Sequence, residues 1–475
     1  APHPDAEIKL AGNMILNLSA AKAEIFVAYS TDGGLEISPE IRAQEAVESL
    51  KILGVPSDKI IFMGYKDGQK LSEDAKKSFK RDLKALILEL RANIIFCVDV
   101  DSHPDHRNLS ICFEEIIGEI LSERDDYHPE IYKKLAYATA FTAIPDFYAL
   151  NLLETKKPKI DLIDRANYIW ANRVRFPVMN YQTILKDNPL ADAIFAHKSQ
   201  RNQWNALRII NSDEIFFERR TDNQIFSAKI TSNTGDAAKV RDFKIFSDEN
   251  YLWSGDNIVF DWKEAIQVQR IVIYGNALDD SIKKISLRLE LENAQVIVDK
   301  TGISLDNVKN FSADLPARGK PLIIDTEKIF VTRAEISAIN GNIELSEVEF
   351  FANIEPIRQI PPFIKLTVDD NFFYNYSVPY EVDKISVGIY RFHVDSPIKI
   401  TGISGDETLF SEIIDEELVI NFGNATEIIL TAEVIGSDIY DRAIIRRVGD
   451  FAQIQLKIWQ WLDKLRVHKI RKVDR

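Results

Sequence analysis

The rhythm of apolar and polar positions changes near residue 215. Before that point, short continuous apolar runs alternate with segments of helical period. "AEIFVAYST" (residues 23–31) and "ANIIFCVDVD" (residues 92–101) are rich in β-branched residues and read as strands buried on both faces. "SPEIRAQEAVESLKILGV" reads as a helix, with Ser38 placed to cap it, Pro39 in its first turn and Gly54 just past its end. A further helix is predicted over "SEDAKKSFKRDLKALILELRA". Strand and helix in this order predict an α/β layer structure with a mostly parallel sheet over residues 1–215.

Residues 223–354 lose the helical period and become a succession of short alternating strands, such as "QRIVIYG", "ISLRLELE" and "LSEVEFFANI". A proline-containing joint, "EPIRQIPPF", leads into a second β segment over residues 357–448, with "KISVGIYRF" and "EIILTAEVI" as its clearest strands. The expectation is two consecutive β-sandwiches. The last segment, residues 451–475, returns to helical spacing. Ile454, Ile458, Trp461 and Leu465 form an apolar stripe, and basic residues dominate the rest. Such a helix either packs on its own protein or lies in a membrane interface.

Composition narrows the function. The chain has 475 residues, 45% of them apolar, and a formal net charge of -14, which argues against general nucleic-acid binding. Cys97 and Cys112, the only cysteines, have no metal-ligand spacing and are expected to be buried free thiols. No run approaches the length of a membrane span, and no signal peptide is visible.

Candidate chemistry gathers in two phrases, "APHPDAE" at residues 1–7 and "DSHPDHRN" at residues 101–108. They hold three of the seven histidines, His3, His103 and His106, together with Asp5 and Asp105. Both fall at expected strand-to-helix turns, where open α/β sheets place their ligands. Imidazole and carboxylate in this combination suit Zn²⁺.

These paired motifs resemble those of the LmbE-like or PIG-L-type zinc deacetylases, and the resemblance extends over about residues 1–203. "TDGG" (residues 31–34), Arg42 with Glu45 and Leu53-Gly54, Asp67-Gly68 and "HKSQ" (residues 197–200) stand in the family's order. The resemblance implies a Rossmann-like α/β domain that removes the acetyl group from N-acetylglucosaminyl substrates with the help of Zn²⁺. It implies His3 and His106 as metal ligands and Asp5 as the base that deprotonates the attacking water. His103 would stabilise the oxyanion, with Asp105 holding its ring, and Arg42 and Asp67 would contact the sugar. Residues 223–354 resemble a discoidin-type, galactose-binding-like jelly roll, and residues 357–448 look like an immunoglobulin-like sandwich.

One position departs from the family pattern. Members read His-Pro-Asp-Asp-Glu in the first motif and use the second Asp as the third metal ligand, where this chain has Ala6. Three explanations stand: a deliberate inactivating substitution, a natural loss, or a ligand from elsewhere in the fold. The first is favoured, because every other expected residue is intact. The sequence reading is therefore a zinc-dependent N-deacetylase of an N-acetylated saccharide or glycolipid, impaired by Ala6. It would be cytoplasmic, with peripheral membrane contact through residues 451–475. The rival reading is a non-catalytic glycan-binding or scaffold protein.

Overall fold

The computed structural model describes residues 1–68, 72–100, 103–134, 173–176, 188–200, 206–211, 214–245, 252–276, 282–299, 302–316 and 321–354. Between residues 365 and 447 it describes the backbone of nine strands. The tail helix expected over residues 451–475 lies outside the described residues.

The N-terminal region alternates as expected. Its elements are α1 (Ala6–Ala20), β1 (Val27–Thr31), α2 (Pro39–Ile52), β2 (Ile60–Tyr65), α3 (Glu73–Leu90), β3 (Ile94–Val98), α4 (Pro104–Glu123) and β4 (Glu130–Lys134). They are followed by β5 (Arg173–Phe176), α5 (Pro189–Ala196), α6 (Ala206–Asn211) and β6 (Glu214–Arg219). β1 pairs in parallel with β2, and β3 with β4. Among the described residues these are two sheets, β1-β2 and β3-β4-β6-β5, and the second is not parallel throughout: β6 runs antiparallel to both β4 and β5. Residues 1 and 2 lie alongside β1, where the Pro2 carbonyl accepts from the backbone N–H of Thr31 at 2.8 Å.

Local signals explain the helix ends. Ser72 caps α3 by accepting from the Ala75 N–H, and Asn188 caps α5 through the N–H groups of Leu190 and Ala191. Ser38 does not cap α2 with its side chain; its hydroxyl turns to the Glu40 carboxylate. Gly54, just past α2, has φ +85 and lies so close to Ser19 that a Cβ would meet the hydroxyl at 2.1 Å. Only glycine meets both demands there.

Two apolar clusters support this region. One joins α1, β1, α2 and α5 through Ile8, Tyr29, Leu50 and Ile194. The other joins α3, β3, α4 and β4 through Phe79, Val98, Ile116 and Ile131, and it contains the free, buried Cys97 and Cys112. Inside the second cluster Lys133 is fully buried. Its ammonium donates to Glu114 Oε1 and Ser110 Oγ, both at 2.6 Å, and lies 3.2 Å from Asp99 Oδ1. This network ties β4 to the middle of α4 and to the residue just beyond β3.

The β region differs from the sequence reading in strand length. β7 (Lys229–Ser232) and β8 (Trp253–Gly255) are short, but β9 (Asn257–Gly275) has 19 residues. β10 (Lys283–Asp299), β11 (Gly302–Leu315) and β12 (Leu322–Ala338) have 17, 14 and 17, and β13 (Ile343–Phe351) has 9. All seven join one antiparallel sheet. Register shifts within the β9–β12 and β9–β13 pairs mark bulges, which let one long strand change direction without breaking its ladder. The core between the folded strands holds Trp253, Phe260, Trp262 and Phe350.

The nine later strands form a five-stranded and a four-stranded sheet. The five-stranded one comprises β14 (Lys365–Val368), β15 (Asn371–Tyr374), β17 (Ile389–Val394), β19 (Phe410–Ile414) and β20 (Glu417–Asn421). The other comprises β16 (Tyr380–Val382), β18 (Ile398–Ser404), β21 (Glu427–Val434) and β22 (Tyr440–Arg447).

The segments on either side of β7 pack on α4. Phe226 and Phe243 join the α4 cluster, Lys244 reaches Glu115 at 3.4 Å, and Gly118 lies against the Asp242 backbone. A Cβ at Gly118 would come within 2.8 Å of the Asp242 carbonyl.

Breaking the Lys133 network tests how far α4 depends on it. Lys133→Met removes the ammonium that the buried Asp99 and Glu114 carboxylates share, and it is expected to cost about 3–5 kcal/mol. Denaturant unfolding with an unchanged m-value would measure the loss.

Candidate metal centre

Both His-Pro-Asp motifs open helices. In the second, His103 is the N-cap of α4 and Pro104 its first residue. A proline there forgoes an N–H that the helix could not use. His103 Nδ1 accepts from the Asp105 backbone N–H at 3.3 Å. In the first, Asp5 is the N-cap of α1, and Ala6 begins the helix.

The two helix starts bring the three histidines together. Ring centroids lie 5.3 Å apart for His3–His103, 5.3 Å for His3–His106 and 4.6 Å for His103–His106. One ring nitrogen from each falls within 4.8 Å of the others. Among the described residues this is the one group of three or more histidine, cysteine or acidic side chains so close. The fit to a borderline divalent ion is good, because three imidazoles are the donor set that catalytic zinc sites use. Ala6 is buried at the start of α1 and offers no donor atom.

Asp5 carries the densest interactions. Its Oδ1 accepts from Arg42 Nη2 at 2.8 Å and lies 3.2 Å from His3 Nδ1, and its Oδ2 accepts from Lys9 Nζ at 2.9 Å. Burial alone would raise its pKa, but Lys9, His3 and Arg42 more than offset that and hold the carboxyl well below its ordinary range. Its backbone sits at φ 99, in the left-handed region. That conformation costs a non-glycine residue about 1–2 kcal/mol.

Arg42, expected to contact the sugar, is buried, at 7% exposure. Its guanidinium donates to the Pro4 carbonyl, to the Gly33 carbonyl at 2.8 Å and to Asp5, and it lies 3.8 Å from Asp67. Gly33 must be glycine, with φ +66 and a Cβ position only 2.7 Å from Arg42 Nη1. Asp105 comes to 3.7 Å from His103 Nδ1, an ion-pair distance rather than a hydrogen bond. Its Oδ2 instead accepts from the Gly68 N–H at 2.9 Å. Burial and the neighbouring Asp67 push its pKa up to about 6.

Two side chains that the sequence reading left without a role complete the setting. Glu7 Oε2 accepts from the Asp5 N–H at 2.9 Å, and Glu7 Oε1 pairs with His197 Nε2 at 2.7 Å. Ser199, two residues on, donates through its N–H and hydroxyl to Glu45 at 2.8 and 2.6 Å. The "HKSQ" motif thus fastens the end of α5 to α1 and α2. The signal available beforehand was the glutamate that follows each motif's key residue, Glu7 after Asp5 and Glu45 after Arg42.

Residues 1–117 match the family described as PIG-L: GlcNAc-PI de-N-acetylase, so the chain carries an N-terminal PIG-L domain. No curated protein matches the chain. Solved structures similar to it include the conserved protein TT1542 from Thermus thermophilus, at 22% identity and a TM-score of 0.24, over 28% of this chain and 64% of that one. They also include CBM32 of AlyQ in complex with 4,5-unsaturated mannuronic acid, at 14% identity and a TM-score of 0.20, over 26% of this chain and 95% of that one. A third is CpGH89CBM32-5 from Clostridium perfringens in complex with GalNAc-beta-1,3-galactose, at 17% identity and a TM-score of 0.18, over 26% and 96%.

The His197–Glu7 pair has a pH signature. Burial lowers the His197 pKa, but Glu7 and the more distant Asp5 and Glu45 raise it further, so the net shift is upward from 6.5. A raised folded-state pKa gives stability that is fully present below the unfolded value and is lost as pH rises through the folded value. His197→Gln is therefore expected to cost most at about pH 6, and its deficit should shrink as pH rises through the folded pKa. Thermal melts of both forms across that window check the sign.

Proposed function

We propose that this chain is a zinc-dependent N-deacetylase for an N-acetylglucosamine-type glycoconjugate, with a lipid-linked saccharide as the favoured substrate, in a form impaired at position 6. The observation that carries the reading is the convergence of His3, His103 and His106 within a domain of the PIG-L family.

His3 and His106 would hold the ion. Bound there, it supplies Lewis acidity to an amide carbonyl and to the attacking water. The remaining work falls to the chain. Deacetylation breaks the amide C–N bond and yields acetate and a free amine, so it needs an acceptor for the water proton, charge stabilisation at the oxyanion and a proton for the leaving nitrogen. Asp5 is the proton acceptor, and Arg42, bound to its Oδ1, is the residue that positions it. Asp105 with its raised pKa, beside His103, forms the second titrating group of the site.

Two features support impairment. With no carboxylate at position 6, His103 stands close enough to complete the ligand set in its place, and a ring spent on the metal cannot also stabilise the oxyanion. Lys9 and Arg42 together neutralise Asp5 and leave it a weak base. The same two features support the alternative of a non-catalytic, glycan-binding protein.

Ala6→Asp separates the two. The expected outcome is tighter zinc retention after dialysis, by at least the roughly 10- to 100-fold that lesser perturbations of zinc sites produce, together with acetate release from N-acetylglucosaminyl saccharides or lipids. An Ala6→Asp form that retains zinc but releases no acetate would favour the glycan-binding alternative. Equal zinc content and equal activity in both forms would show that the missing carboxylate is not needed.

A further inference from the structure

The motif "HKSQ" lies 190 residues from Glu7, yet the fold wires it to the histidine cluster through a continuous set of hydrogen bonds. His197 Nε2 meets Glu7 Oε1 at 2.7 Å, Glu7 Oε2 accepts from the Asp5 N–H at 2.9 Å, and Asp5 Oδ1 meets His3 Nδ1 at 3.2 Å. His197, Glu7 and Asp5 are each 3% exposed or less, so water does not compete for these bonds. Each link also has a fixed direction. Both Asp5 oxygens already accept, from Arg42 Nη2 at 2.8 Å and Lys9 Nζ at 2.9 Å, so the proton between Asp5 and His3 sits on His3 Nδ1. That leaves His3 Nε2 as the ring atom with a free lone pair.

The strained backbone of Asp5 is what makes the remote end matter. At φ 99 the residue needs its surroundings to hold it, because the left-handed conformation is unfavourable for a residue with a Cβ. Glu7 holds the Asp5 N–H from the first turn of α1, and His197 fixes Glu7. Without His197 the Glu7 carboxylate loses its partner at 2.7 Å, and the Asp5 N–H loses a fixed acceptor where the strained backbone sets how the carboxylate meets His3.

We propose that His197 is a positioning residue for the histidine cluster: acting through Glu7 and Asp5, it fixes the tautomer and orientation of His3. This goes beyond the deacetylase reading, since it concerns a proton on His3 in the protein without metal. In a metal site the same arrangement makes Asp5 the outer partner that sets which nitrogen faces the ion.

The test uses the full chain labelled with 15N-histidine, without metal, at about pH 8, where an ordinary histidine is neutral. Long-range 1H–15N correlation reads the tautomer of each ring, and the His3 signals are assigned by their loss in His3→Gln. In the wild type, His3 is expected to carry its proton on Nδ1. His197→Ala should shift His3 several-fold toward the Nε2–H tautomer, whereas His197→Gln, which keeps a donor, should restore most of the wild-type pattern. Ser199→Ala is the control, because it cuts the adjacent hydroxyl bond to Glu45 and leaves those to Glu7; His3 should not change. Should His197→Ala fail to fold, Glu7→Gln reads the same link, since one of its two acceptor oxygens becomes a donor.

A His3 pattern unchanged in both His197→Ala and Glu7→Gln overturns the proposal, as does an equal shift in Ser199→Ala, which would reduce His197 to a packing role. A parallel titration of the wild type with Co²⁺, followed by its visible spectrum, separates this from the metal reading. The expected tautomer pattern in a chain that binds no cobalt, even as Ala6→Asp, sustains the positioning role and ends the metal-centre reading.

Discussion

The site is organised around keeping one buried carboxylate ionised. Asp5 is removed from water, which by itself would favour its neutral form. Arg42, Lys9 and His3 reverse that preference, and each comes from a different local constraint. Arg42 is held by the Gly33 and Pro4 carbonyls, Lys9 lies one turn along α1, and His3 precedes the helix. The position of Asp5 at the N-terminus of α1 adds the favourable end of the helix dipole. A neutral Asp5 would give up its ion pairs with both Arg42 and Lys9, so the stability of the turn and the chemistry of the site are one problem.

The same arrangement bears on activity. A carboxylate held this strongly by two cations is well suited to orienting a ring and poorly suited to taking a proton. In a fully equipped deacetylase site, part of that positive charge would be balanced by a further carboxylate at position 6. Ala6 offers neither a negative charge nor a donor atom, so the charge of Lys9 and Arg42 bears on Asp5, with Asp67 3.8 Å from Arg42 sharing part of it. The impairment proposed for position 6 is thus an electrostatic matter as much as a question of metal coordination.

α4 links the site to the β region. Its first turn carries His103 and His106, its middle is fixed by the Lys133 network, and its second half receives Phe243, Lys244 and the Asp242 backbone from the β region. At 1.5 Å per residue, about 18 Å of helix separate His106 from Gly118. The segments flanking β7 are thus packed against the helix that presents two of the three histidines, and they form part of the support for the site.

Much of this was legible in the sequence because it depends on local chemistry. β-branched runs made β1 and β3, Pro39 and Gly54 bounded α2, and two His-Pro-Asp phrases marked the helix starts where imidazoles could meet. The Ala6 departure was equally plain, since it is a matter of residue type at a known spacing. Other features depend on contacts between distant segments, which no local pattern encodes. Strand lengths in β9 to β12 are decided by bulges that keep a ladder continuous through a bend, so an alternating pattern does not reveal where one strand ends. The antiparallel placement of β6 follows from its pairing with β4 and β5. The burial of Arg42 under the site, the charge balance at Asp5 and the reach of His197 to Glu7 arise only when α1, α2 and α5 close on one another. Residue type determined which groups could carry charge and hold a metal; tertiary packing decided which of those charges would face each other away from water.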